Sequence, residues 1–244
     1  MSQNQQTGAI LQPGTNCWRI ARSRRAAFLI DGAAYFAAFR ATIKEARRSV
    51  FIIGWDINSK VELLRDGAIT DGLPNPLGDF LNALVKRRRG LKIYILAWDF
   101  AMLYALDREF LPLYKLGWSS HRHLYFHLDD AHPFGTSQHQ KIIVVDDAVA
   151  FVGGFDLTKG RWDTNEHRPD EYRRRDSNGE SYPPFHDVQM IVDGDAAATI
   201  GELARERWRR ATGKQIDATK NTGADSNQGA AFGNGCAKVI TGPH

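Results

Sequence analysis

The sequence predicts an α/β protein, an α-β-α sandwich built on a mixed, largely parallel sheet. Three observations predict it: apolar stretches of strand length alternate with helical stripes, two of those strands end in the same Trp-Asp pair, and a polar hairpin follows them. In sheets of this kind functional groups gather at the carboxyl ends of strands.

The first unit runs from Asp31 to Asn58. Tyr35, Phe36, Phe39 and Ile43 recur at helical spacing, and Ser49 to Asp56 is an apolar run that ends in polar residues. The unit then repeats. Leu77, Phe80, Leu81, Leu84 and Val85 make a second stripe, Arg89-Gly90 ends it, and Leu91 to Asp99 is a second buried strand. Asp56 and Asp99 fall at the active edge of such a sheet, where an aspartate serves equally well as a turn acceptor. His121 to His127 alternates polar and apolar residues like a half-exposed strand. Its three histidines spread over about 20 Å of strand, too far to share one ion, so they are read as structural.

The chemistry concentrates between His132 and Thr158. A glycine-containing polar loop delivers His139 to a strand whose body is Ile142 to Val145, and Asp146-Asp147 turn the chain into a second strand, Ala148 to Val152. Side chains alternate along a strand, so His139 and Lys141 point the same way about 7 Å apart and can meet one phosphate. Lysine neutralises phosphoryl oxygens. Histidine near neutral pH attacks phosphorus when neutral, or protonates a leaving oxygen when charged. Asp146 is expected to orient a histidine or lysine there.

Two more segments surround that core. Gly160 to Phe185 is a long polar stretch without periodicity, the mark of a functional or irregular loop, and it carries Arg161, Trp162, Asp163 and His167. Arg161 and Trp162 could line an entrance for substrate, or Trp162 could anchor the loop. His186 opens a strand reaching to Val192 and either touches the site edge or bonds to backbone. Ala196 to Ala211 places Ile200, Leu203, Ala204, Trp208 and Ala211 on one helical face.

His139-x-Lys141-x4-Asp146, followed by Gly153-Gly154, resembles the signature of the phospholipase D superfamily. Gly153-Gly-Phe-Asp-Leu-Thr158, Gly160-Arg-Trp-Asp163 and Phe185-His-Asp-Val188 extend the resemblance to the amino-terminal half of two-motif, eukaryote-like members. It implies a phospholipase D-like half with His139, Lys141 and Asp146 as catalytic residues, and Gly153, Gly154, Asp156, Arg161, Trp162 and His186 as substrate contacts. It also implies a covalent phosphohistidine, a second histidine that protonates the leaving alcohol, and no metal or organic cofactor. Asp156 stands where simpler members carry Asn or Ser. The expected activity is hydrolysis or exchange of phospholipid headgroups; a homodimeric nuclease and an inactive half-enzyme are the alternatives.

This chain holds one His-x-Lys, because no other histidine is followed by lysine two positions later. The partners expected are therefore a phospholipid at a membrane surface and a second motif, from an identical chain or from a missing carboxyl-terminal half. Nucleic acid ranks behind lipid. The basic excess, net +4, clusters in runs such as Arg22 to Arg25, Lys86 to Arg89 and Arg207 to Arg210 and suits either phosphate-bearing partner.

At 244 residues the chain can bury one good-sized core. The division expected is a flexible 1–16, a catalytic domain over 17–212 and a linker-like tail over 213–244. No apolar run approaches the roughly 20 residues of a membrane span, and the first residues lack a secretory pattern. A cytoplasmic, peripherally membrane-associated protein is the expectation. Cys17 and Cys236 suggest neither a disulfide framework nor a zinc site.

Overall fold

The computed structural model describes residues 10–67, 69–98, 121–131, 136–219 and 238–241. Asp99, His132 and Cys236, and most of the tail, lie outside them. In chain order the elements are β1 (Arg25–Ile30), α1 (Asp31–Glu45), β2 (Ser49–Gly54), α2 (Leu77–Arg87), β3 (Lys92–Trp98) and β4 (Leu124–Asp129). They continue with β5 (Ile142–Val145), β6 (Val149–Gly153), β7 (Val188–Asp193), α3 (Gly194–Thr212) and β8 (Lys238–Thr241).

The strands form one sheet in the order β4-β3-β2-β5-β6-β7-β1-β8. It is mixed, as expected. Its parallel part is confined to β4, β3 and β2, and every pairing from β2 through β5, β6, β7 and β1 to β8 is antiparallel. The expectation of a largely parallel sheet is corrected on this point. A physical cause is the tight three-residue connection Asp146-Asp147-Ala148 between the paired Val145 and Val149, where both aspartates take positive φ (53° and 55°) and the Ala148 amide donates to the Val145 carbonyl, so that β6 returns antiparallel to β5.

Alternation along the strands sorts the core onto two faces. Ile52, Ile95, Ile143, Phe151 and Ile191 pack with Tyr35, Phe36, Phe39 and Ile43 of α1 and with the apolar stripe of α2. Phe51, Tyr94, Leu96, Val144 and Ala150 pack on the other face with Ala197, Ala204 and Trp208 of α3. The sandwich is thus helix, sheet, helix. Gly201 lets α3 close down, since a Cβ there would lie 2.0 Å from the Asp147 carboxylate. Gly213 ends α3 in the left-handed region.

The chain beyond α3 stays against the domain at first. Ile216 packs on the α3-side core, and the Thr219 amide donates to Asp147. Residues 238–241, placed with the tail in the sequence reading, pair with β1. Among the described residues no helix is long and apolar enough to cross a membrane.

Candidate active site

Strand directions bring the carboxyl ends of β1, β2, β3 and β6 to the same edge as the amino ends of β5 and β7. His139 and Lys141 lead into β5 there, Gly153 and Gly154 leave β6, and His186 and Asp187 lead into β7. One sheet edge therefore collects most of the residues singled out in the sequence.

Lys141 is the buried floor. Its Nζ lies 3.2 Å from Asp156 Oδ2 and donates to the His139 carbonyl at 3.3 Å. Asp156 is buried as well, and its Oδ1 accepts the Trp55 amide at 2.8 Å. Burial pushes the Asp156 carboxyl above its usual range, while Lys141 and the backbone donors oppose that rise. His139 is exposed, its ring edge-on to Trp55, which stacks on Trp98 and whose amide Asp156 holds. An accessible imidazole beside a buried ammonium can receive a phosphodiester from solvent. Asp56, from the same strand end, accepts the Thr158 hydroxyl at 2.7 Å and so holds the loop after Asp156.

The two glycines make the edge tight. A Cβ on Gly153 would stand 2.5 Å from the Val188 carbonyl oxygen, and one on Gly154 would stand 2.2 Å from an Asp187 carboxylate oxygen. Their visible role is close packing of β6 against the entry to β7.

Asp146 requires a correction. It sits at the opposite end of β5, where its carboxylate accepts the amides of Arg47, Arg48 and Ser49, each at 2.8 Å. A strand of four residues separates it from Lys141, so it closes the corner between α1 and β2 instead of orienting a site residue. Of the two readings of Trp162 the geometry fits the loop anchor and not a substrate contact: at 2% exposure it lies beneath the Arg65 and Arg173 guanidiniums. Arg161 spreads over Phe185. Of the three histidines around β4, His127 has Nε2 at 2.9 Å from the Ala211 carbonyl at the end of α3.

His186 has a partner that sequence spacing could not show. Its Nδ1 lies 2.7 Å from Oδ1 of Asp31, a fully buried carboxylate at positive φ (65°). The second oxygen of Asp31 has His167 Nε2 at 3.2 Å, and the other nitrogen of His167 faces Asp163 at 3.0 Å. Arg174 and the Phe185 and Thr164 amides also hold Asp163, whose carboxyl is pulled below its usual range by these donors against the effect of burial. Asp31, His167 and His186 present ligand atoms within 4.8 Å of one another, so this group could hold a divalent cation. The sequence reading assigned no metal ligand. Asp31 opens a helix and His167 lies in an irregular loop, so no motif spacing joins them.

The Phospholipase D family profile matches residues 121–232. Phospholipase D C of Dictyostelium discoideum is 29% identical over 214 residues, which cover 77% of this chain and 13% of that protein. Phospholipase D zeta 1 of Arabidopsis thaliana is 27% identical, covering 77% of this chain and 19% of its own length. The chain thus spans a small part of such relatives. Among solved structures it is similar to the phospholipase D family member Nuc from Salmonella typhimurium, with a TM-score of 0.47 and 13% identity over 79% of this chain and 99% of the other. Phosphatidylserine synthase from Haemophilus influenzae gives a TM-score of 0.48 and 11% identity over 75% of this chain and 37% of that one.

Proposed function

We infer that this chain belongs to the phospholipase D superfamily, and we propose that it is one half of a phosphodiesterase site that hydrolyses or exchanges phospholipid headgroups at a membrane surface. The observation that carries the reading is the exposed His139 beside the buried Lys141–Asp156 pair. Lys141 binds the phosphoryl oxygens and Asp156 holds its ammonium in place. A nitrogen of His139 attacks phosphorus, and the bond from phosphorus to the headgroup oxygen breaks. The leaving alcohol takes its proton from a second histidine, supplied by the other half of the site. Water or a second alcohol then attacks the phosphohistidine and gives its proton back to that histidine, so both groups return to their starting states.

Lipid is preferred over nucleic acid because the curated relatives named above are phospholipases D and the match spans most of this chain. The test is hydrolysis of phosphatidylcholine vesicles, with and without ethanol, by the wild type and His139→Ala. Release of choline, formation of phosphatidylethanol and loss of both in the variant are expected. Equal activity in the variant would refute the assignment of His139, and cleavage of supercoiled DNA in place of lipid would move the site to a nuclease.

A further inference from the structure

Three rings form a ladder across the parallel part of the sheet. Phe51 of β2 stands opposite Tyr94 of β3, and Tyr94 stands opposite Tyr125 of β4. The rings of Phe51 and Tyr94 stack at 4.7 Å and 16°, and those of Tyr94 and Tyr125 stack at 5.1 Å and 12°. The first two are buried, whereas Tyr125, on the last strand of the sheet, is 37% exposed. The ladder therefore ends on a ring that borders open space. That space is a groove of about 820 Å³ between β3, β4 and the carboxyl end of α3, within the size range of small-molecule sites. Trp208 forms its floor, edge-on to Tyr94 and 4% exposed, and the indole Nε1 is buried there with no acceptor among the described residues. Burial, with Tyr125 alongside, pushes the Tyr94 hydroxyl up to about 12, so it stays neutral. Exposed Lys92 and Lys214 belong to the lining, one from β3 and one from the turn after α3, and no carboxylate does. His121, Arg122 and His123 lead into β4 beside them; desolvation, then the charges of Arg122, His121 and Lys92, hold the His123 imidazole below its usual range. The rim is positive.

We propose that this groove binds a free nucleoside monophosphate, whose base continues the ring ladder on Tyr125 and whose phosphate lies between Lys92 and Lys214. The stacked rings choose a flat aromatic ligand, because a planar heterocycle extends the ladder by one step. The two ammonium groups and the lack of a lining carboxylate choose an anion, and a pair of lysines suits one phosphate. A sugar phosphate lacks the flat face, and an uncharged ring leaves the lysines unused. Gln215, exposed on the lining, offers both a donor and an acceptor to the edge of the base. The groove is also separate from the candidate active site. Lys92 and Leu124 open β3 and β4, so they stand at the amino ends of these strands, whereas His139 and Lys141 lie at the edge where β3 ends. Binding here neither uses nor needs His139.

Isothermal titration calorimetry of the full chain with adenosine monophosphate tests the proposal, since this phosphomonoester is no substrate for a phosphodiesterase. One site with a dissociation constant below about 100 µM is expected, with adenosine and inorganic phosphate each binding at least about tenfold more weakly. Tyr125→Leu and Lys92→Glu should each weaken the nucleotide at least about tenfold with the melting temperature kept. Tyr125→Phe retains the ring and should bind within about twofold of the wild type. If Tyr125→Leu lowers the melting temperature sharply, Lys92→Glu, at an exposed residue, carries the same reading. His139→Ala should bind as the wild type does, whatever its effect on hydrolysis. No binding at about 1 mM nucleotide, or unchanged binding in both groove variants, overturns the proposal. Loss of binding in His139→Ala overturns it as well, by placing the phosphate in the active site. A single-stranded oligothymidylate that binds where the mononucleotide does not would overturn the choice of a free nucleotide.

Discussion

Strand β5 has a buried charge at each end, and the two ends do different things. At its far end Asp146 is satisfied by three backbone amides of the turn between α1 and β2. At its near end Lys141 is held by one carboxylate and one carbonyl, beside a histidine that faces solvent. The first arrangement locks a corner of the fold. The second positions a charge where a ligand can reach it. Two members of one short motif therefore sit in unlike surroundings, Asp146 at a corner of the fold and Lys141 at the edge that carries His139.

The largest effect should follow removal of the exposed histidine. His139→Ala is expected to lower phosphodiester turnover by about a thousandfold or more while shifting unfolding free energy by less than about 0.5 kcal/mol. Parallel loss of stability and activity would erase the contrast between the two ends. Asp146→Ala should do the reverse: three backbone amides lose their acceptor, and chemical denaturation should show a loss of about 3 kcal/mol. Residual activity of whatever remains folded should match wild type per folded molecule.

A smaller structural effect is expected at Gly154→Ala, where the new methyl meets the Asp187 carboxylate and parts β6 from the entry to β7. A cost of about 1–3 kcal/mol in unfolding free energy, seen in a thermal or urea melt, is the expected reading. The mildest test is pH. Arg173 holds Glu171 down at about 2, far below an ordinary glutamate, and Asp163 is also lowered. Groups with depressed folded pKa values stabilise above their unfolded values and lose that contribution as pH falls through the folded ones. Melting temperature should thus decline as pH drops from about 4.5 toward 2, and Glu171→Gln should flatten part of the decline.

Contiguity decides how much of this was legible. The stripe of α1, the stripe of α2, the hairpin at Asp146-Asp147 and the pairing of His139 with Lys141 each depend on residues a few positions apart, and periodicity exposes them. β1 escaped notice because Arg25–Ile30 is short, alternates weakly and runs straight into a helix. Asp146 was misassigned for a related reason: spacing shows that a carboxylate follows β5, but its partners, residues 47–49, come from another turn.

The sequence by itself determined the α/β class and the helical and strand stripes, and it carried the resemblance to the phospholipase D superfamily on His139 and Lys141, because each is written in local order and short spacing. Only the tertiary structure decided that most of the sheet is antiparallel, that Asp156 is the counter-charge of Lys141, and that Asp31 joins His167 and His186. Those facts arise when strand order folds distant segments onto one edge. Burial then makes an unpaired charge costly, and the chain supplies the partner from wherever the fold brings it near.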